Sequence, residues 1–179
     1  MVARGESFAN LITSICYVSR MRVRKATLDD ASAMCRIYNE GIADRMATFE
    51  TTPRTVDGVR AWFTRRHPIV VVEDDDGGVI AFASTSEYRP RACYDGVAEF
   101  SVYVARDARR RGAGRAAMDR LIAEAREAGF WKLVSRVFVE NEASRSLLKA
   151  VGFREVGTYH KHGRLDGVWR DTVIVERLL

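Results

Sequence analysis

Arg109-Arg110-Arg111-Gly112-Ala113-Gly114 sets three guanidinium groups beside two glycines, a combination suited to holding an anion. Glycines at 112 and 114 let the backbone approach a pyrophosphate with no Cβ in the way, while the arginines screen further phosphates. The run has neither the Gly-Lys-Ser/Thr of a Walker loop nor the third glycine of a dinucleotide fingerprint, and a solvated basic turn is its plain alternative. Glu99 opens an alternating apolar stretch, where glutamate is depleted. It is either a strand-end carboxylate exposed to water or paired with an arginine, or a general base. Arg89 and Arg91 stand two apart before it, so in an extended conformation their planar forks point the same way. Such forks grip oxyanions, each charge-assisted bond contributing about 1.5–3 kcal/mol.

These residues require a strand, a turn and a helix in succession. Ala98–Ala105 alternates, with Phe100, Val102 and Val104 on one face and Glu99, Ser101 and Tyr103 on the other. Asp107–Gly114 leads into a helix over Arg115–Gly129, where Met118, Leu121, Ile122 and Ala125 form an apolar stripe that Gly129 ends. The basic turn therefore meets a helix N-terminus, where orphan amides and the positive end of the dipole converge. Upstream, a strand around Arg22–Ala26 precedes a capping box at Thr27 and Asp30, and then a helix that fades near Arg45. A short helix runs from about Val56 to Arg65. Ile69–Glu73 and Val79–Ser86, joined by Asp74-Asp75-Asp76-Gly77-Gly78, predict a hairpin, and Tyr88–Gly96 a loop. Downstream, Leu133–Val139 is a strand, Ala143–Val151 a helix, and Phe153–Tyr159 and Thr172–Leu178 are strands. The order β, α, α, β, β, β, α, β, α, β, β predicts one mixed α/β domain.

A length of 179 residues, 47% hydrophobic and 30% charged, suits one folded domain. No apolar run approaches the ~20 residues of a membrane-spanning helix. The net charge of +5 suits nucleic acid, an anionic cofactor or neither. Cysteines at 16, 35 and 93 are odd in number and lack a C-x-x-C spacing, against a disulfide framework or a zinc knuckle and in favour of a reducing cytoplasm. Cys35 reads as a packed thiol and Cys93 as an incidental one. In residues 1–20, the stretch Phe8–Val18 is interrupted by Asn10, Thr13 and Ser14 and lacks the features of a secretory signal. Met21 opens the first strand and is a candidate native start, with residues 1–20 as an extension and 21–179 as the domain.

The strand Glu99 to Val104, the Arg109-x-x-Gly112-x-Gly114 turn, and Asn141-Glu142-Ala143-Ser144 followed by Val151-Gly152-Phe153 resemble, in order and separation, the acetyl-CoA-binding signature of the GCN5-related N-acetyltransferases (GNAT). The resemblance runs along residues 21–179. It implies the GNAT fold, an α/β arrangement of the α+β kind with a central mixed, mostly antiparallel sheet flanked by helices. It also implies acetyl-CoA as cosubstrate and no metal. Val102, Tyr103 and Val104 would pair with the pantetheine, Arg109, Arg110, Arg111, Gly112, Ala113, Gly114 and Arg115 would hold the pyrophosphate, and Asn141 and Ser144 would meet the pantetheine arm. Asn141 as a helix cap is compatible with that role.

Ile37-Tyr38-Asn39, Thr48 to Pro53, Tyr88-Arg89-Pro90-Arg91 and Gly167 to Asp171 resemble the phosphinothricin and methionine sulfoximine N-acetyltransferases. Phe130 to Phe138 and Leu165–Leu179 are most similar to the arsinothricin-resistance N-acetyltransferases. This narrower resemblance implies acetylation of the α-amine of a toxic glutamate analogue, by direct transfer in a ternary complex and with resistance as the outcome. Glu99 would be the base, Arg89 and Arg91 the receptors of the substrate anion, and Phe49 and Glu50 part of the pocket lining. Tyr103 would donate its hydroxyl to the substrate, a buried structural tyrosine being the alternative. The resemblance further implies a homodimer, joined through the final strands or the substrate loop; with the reducing cytoplasm that the cysteines favour, the expectation is a cytoplasmic enzyme with neither nucleic acid nor membrane as partner. The phosphinothricin enzymes carry a histidine where this chain has Leu148, which cannot relay a proton; that puts phosphinothricin in doubt as preferred substrate. His160 and His162 read as residues of a later surface loop. No group stands out to protonate the departing CoA thiolate, and with a thiol pKa near 8.5 water suffices. Rival readings are acetylation of a polyamine, an aminoglycoside or a protein N-terminus, and an RNA-associated or ligand-sensing protein that binds acetyl-CoA without turnover.

Overall fold

Thr27 and Asp30 close a capping box, with the Thr27 amide donating to Asp30 Oδ2 at 2.7 Å, and one 3-10 turn later the first helix begins. A computed structural model describes residues 21–64 and 66–179; the expected extension 1–20, with Cys16, lies outside the described residues. The strands are β1 (Arg22–Lys25), β2 (Ile69–Glu73), β3 (Val79–Glu87), β4 (Val97–Val104), β5 (Lys132–Phe138), β6 (Arg154–Leu165) and β7 (Val168–Leu178). The helices are α1 (Ala31–Ala43), α2 (Val56–Arg60), α3 (Ala113–Glu127) and α4 (Glu142–Ala150). The sheet has seven strands in the order β1-β2-β3-β4-β5-β7-β6. Every neighbouring pair is antiparallel except β4 and β5.

Period-two alternation along β4 sends its side chains to two helical layers. Tyr103 meets α1, its ring 4.6 Å from that of Tyr38 and 5.4 Å from Phe82 on the neighbouring strand. On the other face Phe100 lies 4.7 Å from Phe153. There Val104 approaches Gly114 so closely that a Cβ added at 114 would lie 3.3 Å from it. Phe82, Met118, Leu121 and Leu133 are completely buried, each contributing about 1.5–3 kcal/mol by leaving water.

Two expectations need correction. The second helix stops at Arg60 rather than Arg65: Gly58 weakens so short a helix, and the chain continues in 3-10-like bonds from Trp62 N–H to Val59 and Phe63 N–H to Arg60. The last two strands are longer than expected and form one hairpin closed at Asp166-Gly167, whose φ values of 49° and 81° are those of a type I′ turn. His160 and His162 therefore belong to β6, beside a bulge between Tyr159 and Gly163 where Lys161 takes φ 50°.

Candidate active site

β4 and β5 pair in parallel through Val97↔Lys132, Ala98↔Leu133 and Glu99↔Val134, and there the pairing ends. β4 stays paired with β3 as far as Val104, and β5 with β7 as far as Phe138. The two strands therefore part beyond Glu99, leaving Phe100 to Val104 with no strand partner on the β5 side. Backbone polar groups in such an edge need partners, so the fork offers a strand-like ligand hydrogen bonds. A cleft of ≈ 560 Å³ occupies it, with Val102, Val104 and Asn141 in its walls.

The basic turn forms one end of this cleft. Gly112 takes a left-handed φ of 91° as N-cap of the 15-residue helix α3, with no side chain capping the helix and no acid in its first turn. The first helical bond runs from Ala116 N–H to the Gly112 carbonyl, so the amides of Ala113, Gly114 and Arg115 are left for a ligand. With the positive end of the dipole, they make an anion cradle. Arg109, Arg110, Gly112, Ala113, Gly114 and Arg115 all line the cleft, and Arg111 does not. Arg109 is anchored by Asp44 at 2.6 Å, and Arg106 by the same carboxylate. These cations hold the Asp44 carboxyl below its ordinary range, the Arg106 bond being the larger cause.

Asn141 caps α4, accepting from Ser144 N–H at 3.1 Å, and donates to the Met46 carbonyl at 2.8 Å. It thereby ties the α1–α2 loop to the cleft wall, which Ser144 also lines. Leu148 is buried to 1% exposure in that wall, an apolar group that can neither take nor give a proton.

Glu99 stands at the last paired position, half-buried, and its carboxylate accepts from Arg136 of β5. On the same face of β4, Tyr103 is buried, and burial followed by the adjacent Tyr38 pushes its phenol well above the usual range. The Tyr38 hydroxyl donates to Glu50 at 3.0 Å, and Arg54 holds the other Glu50 oxygen at 2.8 Å. Arg54 chiefly keeps the Glu50 carboxyl low. Phe49 packs edge-on against Phe138 at 4.8 Å and covers Gly163, where a Cβ would come within 2.7 Å of its ring.

Arg89 and Arg91 are exposed in the loop before β4, but the chain between them is not extended. Arg91 N–H donates to the Arg89 carbonyl at 2.8 Å, a tight turn about Pro90, and Arg89 lies over the Tyr88 ring at 5.2 Å. His160 bonds Asp171 at 2.7 Å, and His162 stacks on Tyr159 at 4.8 Å. Cys35 is buried and Cys93 exposed. Among the described residues no cluster of three or more His, Cys, Asp or Glu is placed to hold a metal, and no helix is long and apolar enough to cross a membrane.

Two residues of this site carry no role in the sequence reading. Asp44 gives no local signal, since its arginines are more than 60 residues away in the chain. Arg136 gives a weak one, as a charge within the otherwise largely apolar strand Leu133–Val139.

Residues 34–153 match the Acetyltransferase (GNAT) family. A phosphinothricin N-acetyltransferase of Alcaligenes faecalis is 36% identical over 163 residues, covering 88% of this chain and 82% of its own. An L-methionine sulfoximine/L-methionine sulfone acetyltransferase of Pseudomonas paraeruginosa is 32% identical, covering 86% of this chain and 92% of its own. Among solved structures, a GNAT superfamily phosphinothricin acetyltransferase from Sinorhizobium meliloti in complex with acetyl-CoA superposes with a TM-score of 0.83 at 29% identity, over 89% of this chain and 88% of that one.

Proposed function

The chain belongs to the acetyltransferase (GNAT) family, and from that premise we propose that it acetylates the α-amine of a small amino acid that carries a second anionic group. The acceptor class is a toxic glutamate analogue of the arsinothricin, phosphinothricin or methionine sulfoximine type. The observation that carries this reading is the carboxylate of Glu99 at the point where β4 and β5 part, beside a cleft that ends in an anion cradle. The names of the relatives from A. faecalis and P. paraeruginosa support the acceptor class.

Acetyl-CoA supplies the thioester whose acetyl group passes to the amine. Its pyrophosphate suits the amides of Ala113, Gly114 and Arg115 and the cation Arg109, and its pantetheine suits the open edge of β4 at Val102 and Val104. Glu99, directly or through one water, removes a proton from the acceptor's ammonium and frees the nitrogen lone pair. Arg89 and Arg91 take the distal anion, which requires a rotation out of the present turn about Pro90. Transfer is direct, within a ternary complex. Buried Leu148 offers no proton relay, which leaves Glu99 to act without a titratable partner from α4. Acetylation removes the ammonium charge, and with it the mimicry of glutamate, which makes the reaction a detoxification. The enzyme works in the cytoplasm as a homodimer, consistent with exposed apolar Val156, Tyr159, Val168 and Trp169 on the β6–β7 hairpin.

The test is release of free CoA thiol from acetyl-CoA with arsinothricin, phosphinothricin and methionine sulfoximine, alongside spermidine and an alanyl peptide. Release with the glutamate analogues alone is expected. Turnover confined to the polyamine or peptide overturns the acceptor class, and tight acetyl-CoA binding without turnover of any amine points to a sensor.

A further inference from the structure

The arginines around the cleft are occupied in different ways. Arg109 is held by Asp44 and Arg170 by Glu140, pairs that tie one element of the fold to another. Arg136 of β5 likewise bridges to another element, Glu99 of β4, but its partner is the group assigned to proton removal, and Arg136 itself lines the cleft. Both side chains remain in part open to solvent, at 46% and 26% exposure, and a pair so exposed adds little to stability. At the root of the fork, where β4 and β5 make their last pairing at Glu99↔Val134, the two strands thus present a carboxylate and a guanidinium side by side. That arrangement is the charge complement of an α-amino acid head group, whose ammonium and carboxylate sit on one carbon.

We propose that Arg136 and Glu99 form the head-group receptor of the acceptor: on binding, Arg136 leaves Glu99 for the substrate's α-carboxylate while Glu99 receives the α-ammonium. The exchange replaces one ion pair by two and leaves no charge unpartnered, so it satisfies the rule that a desolvated charge must be paired. The planar fork of Arg136 suits a carboxylate bidentately, and it holds the ammonium against the base. Arg136 therefore restricts the acceptor to free α-amino acids and rejects amines without the carboxylate. The distal anion is left to Arg89 and Arg91. This inference rests on the amino-acid acceptor proposed above and adds the residue that selects for it.

The experiment compares kcat/KM for L-methionine sulfoximine and for its α-carboxamide in the wild type, Arg136→Leu and Arg136→Lys, with acetyl-CoA affinity measured in each. The wild type is expected to favour the free acid by roughly 10–100-fold, the loss of one charge-assisted contact. Arg136→Leu is expected to bring that ratio close to one, and Arg136→Lys to restore part of it. A wild-type ratio near one overturns the proposal without recourse to any variant. So does an Arg136→Leu enzyme that keeps the ratio, or that loses acid and amide equally, since Arg136 would then only position Glu99. A wild type that acetylates neither compound but turns over another amine overturns the acceptor reading as well, which separates the two failures.

Discussion

Asp44 Oδ2 accepts from Arg109 Nη2 at 2.6 Å, and its other oxygen accepts from Arg106. One carboxylate at the end of α1 thus anchors the basic turn that begins the anion cradle. The Asp44 carboxyl is held low, first by Arg106 and then by Arg109, so its contribution to stability is present above the unfolded value of 3.8 and is lost as pH falls through the folded one. Asp44→Asn is expected to lower the unfolding midpoint at pH 7 by about 2–4 °C, for a loss of about 1 kcal/mol from two partly exposed ion pairs. That gap should narrow below pH 3.8. Thermal scans at pH 7 and pH 3 check it, and an equal gap at both would exclude the ion pairs as the cause.

Gly112 and Gly129 share a left-handed backbone, at φ 91° and 83°, but only Gly112 lines the cleft. A side chain in that conformation costs about 1–2 kcal/mol. A Cβ at 112 would meet only Met21 Cε, at an ordinary 3.6 Å, and one at 129 would meet nothing within 4 Å. Both alanine variants should therefore lose similar stability, whereas Gly112→Ala alone should weaken acetyl-CoA binding several-fold. Calorimetric titration of the two variants decides whether the turn acts on the ligand or on the fold alone.

Asn141 has two jobs that substitution can separate. Asn141→Ser keeps a cap for the Ser144 amide but removes the donor to the Met46 carbonyl, while Asn141→Ala removes both. The alanine variant should lose ~1 kcal/mol of stability, or some 2–4 °C. The serine variant should keep most of that stability and yet show a raised KM for the amino acid, because the α1–α2 loop is no longer tied to the cleft. Identical KM values in the serine variant and the wild type would reduce Asn141 to a cap.

What the sequence made legible was local. The capping box at Thr27 and Asp30, the hairpin around Gly77, the alternation of β4 and the glycine turn at 112 each depend on residues a few positions apart, and each element stands within a few residues of its expected place. β6 is mostly exposed, so no apolar alternation marks its second half. Asp166-Gly167, the strongest short hairpin signal in that stretch, would have found its end. Parts of the site escaped for a different reason. The Glu99–Arg136 pair spans 37 residues and joins two strands that the sheet order, not local spacing, makes neighbours. The tight turn between Arg89 and Arg91 is a bend at Pro90 that no hydrophobic periodicity marks.

The most direct test of the account is the initial rate of CoA release by wild type and Glu99→Gln with acetyl-CoA and the best glutamate analogue. Glutamine keeps the size and hydrogen-bonding reach of the side chain but cannot take a proton. If Glu99 is the base, kcat falls by roughly 10²–10⁴ while KM for acetyl-CoA and the unfolding midpoint hold. A Glu99→Gln enzyme that turns over at the wild-type rate would contradict the account at its centre.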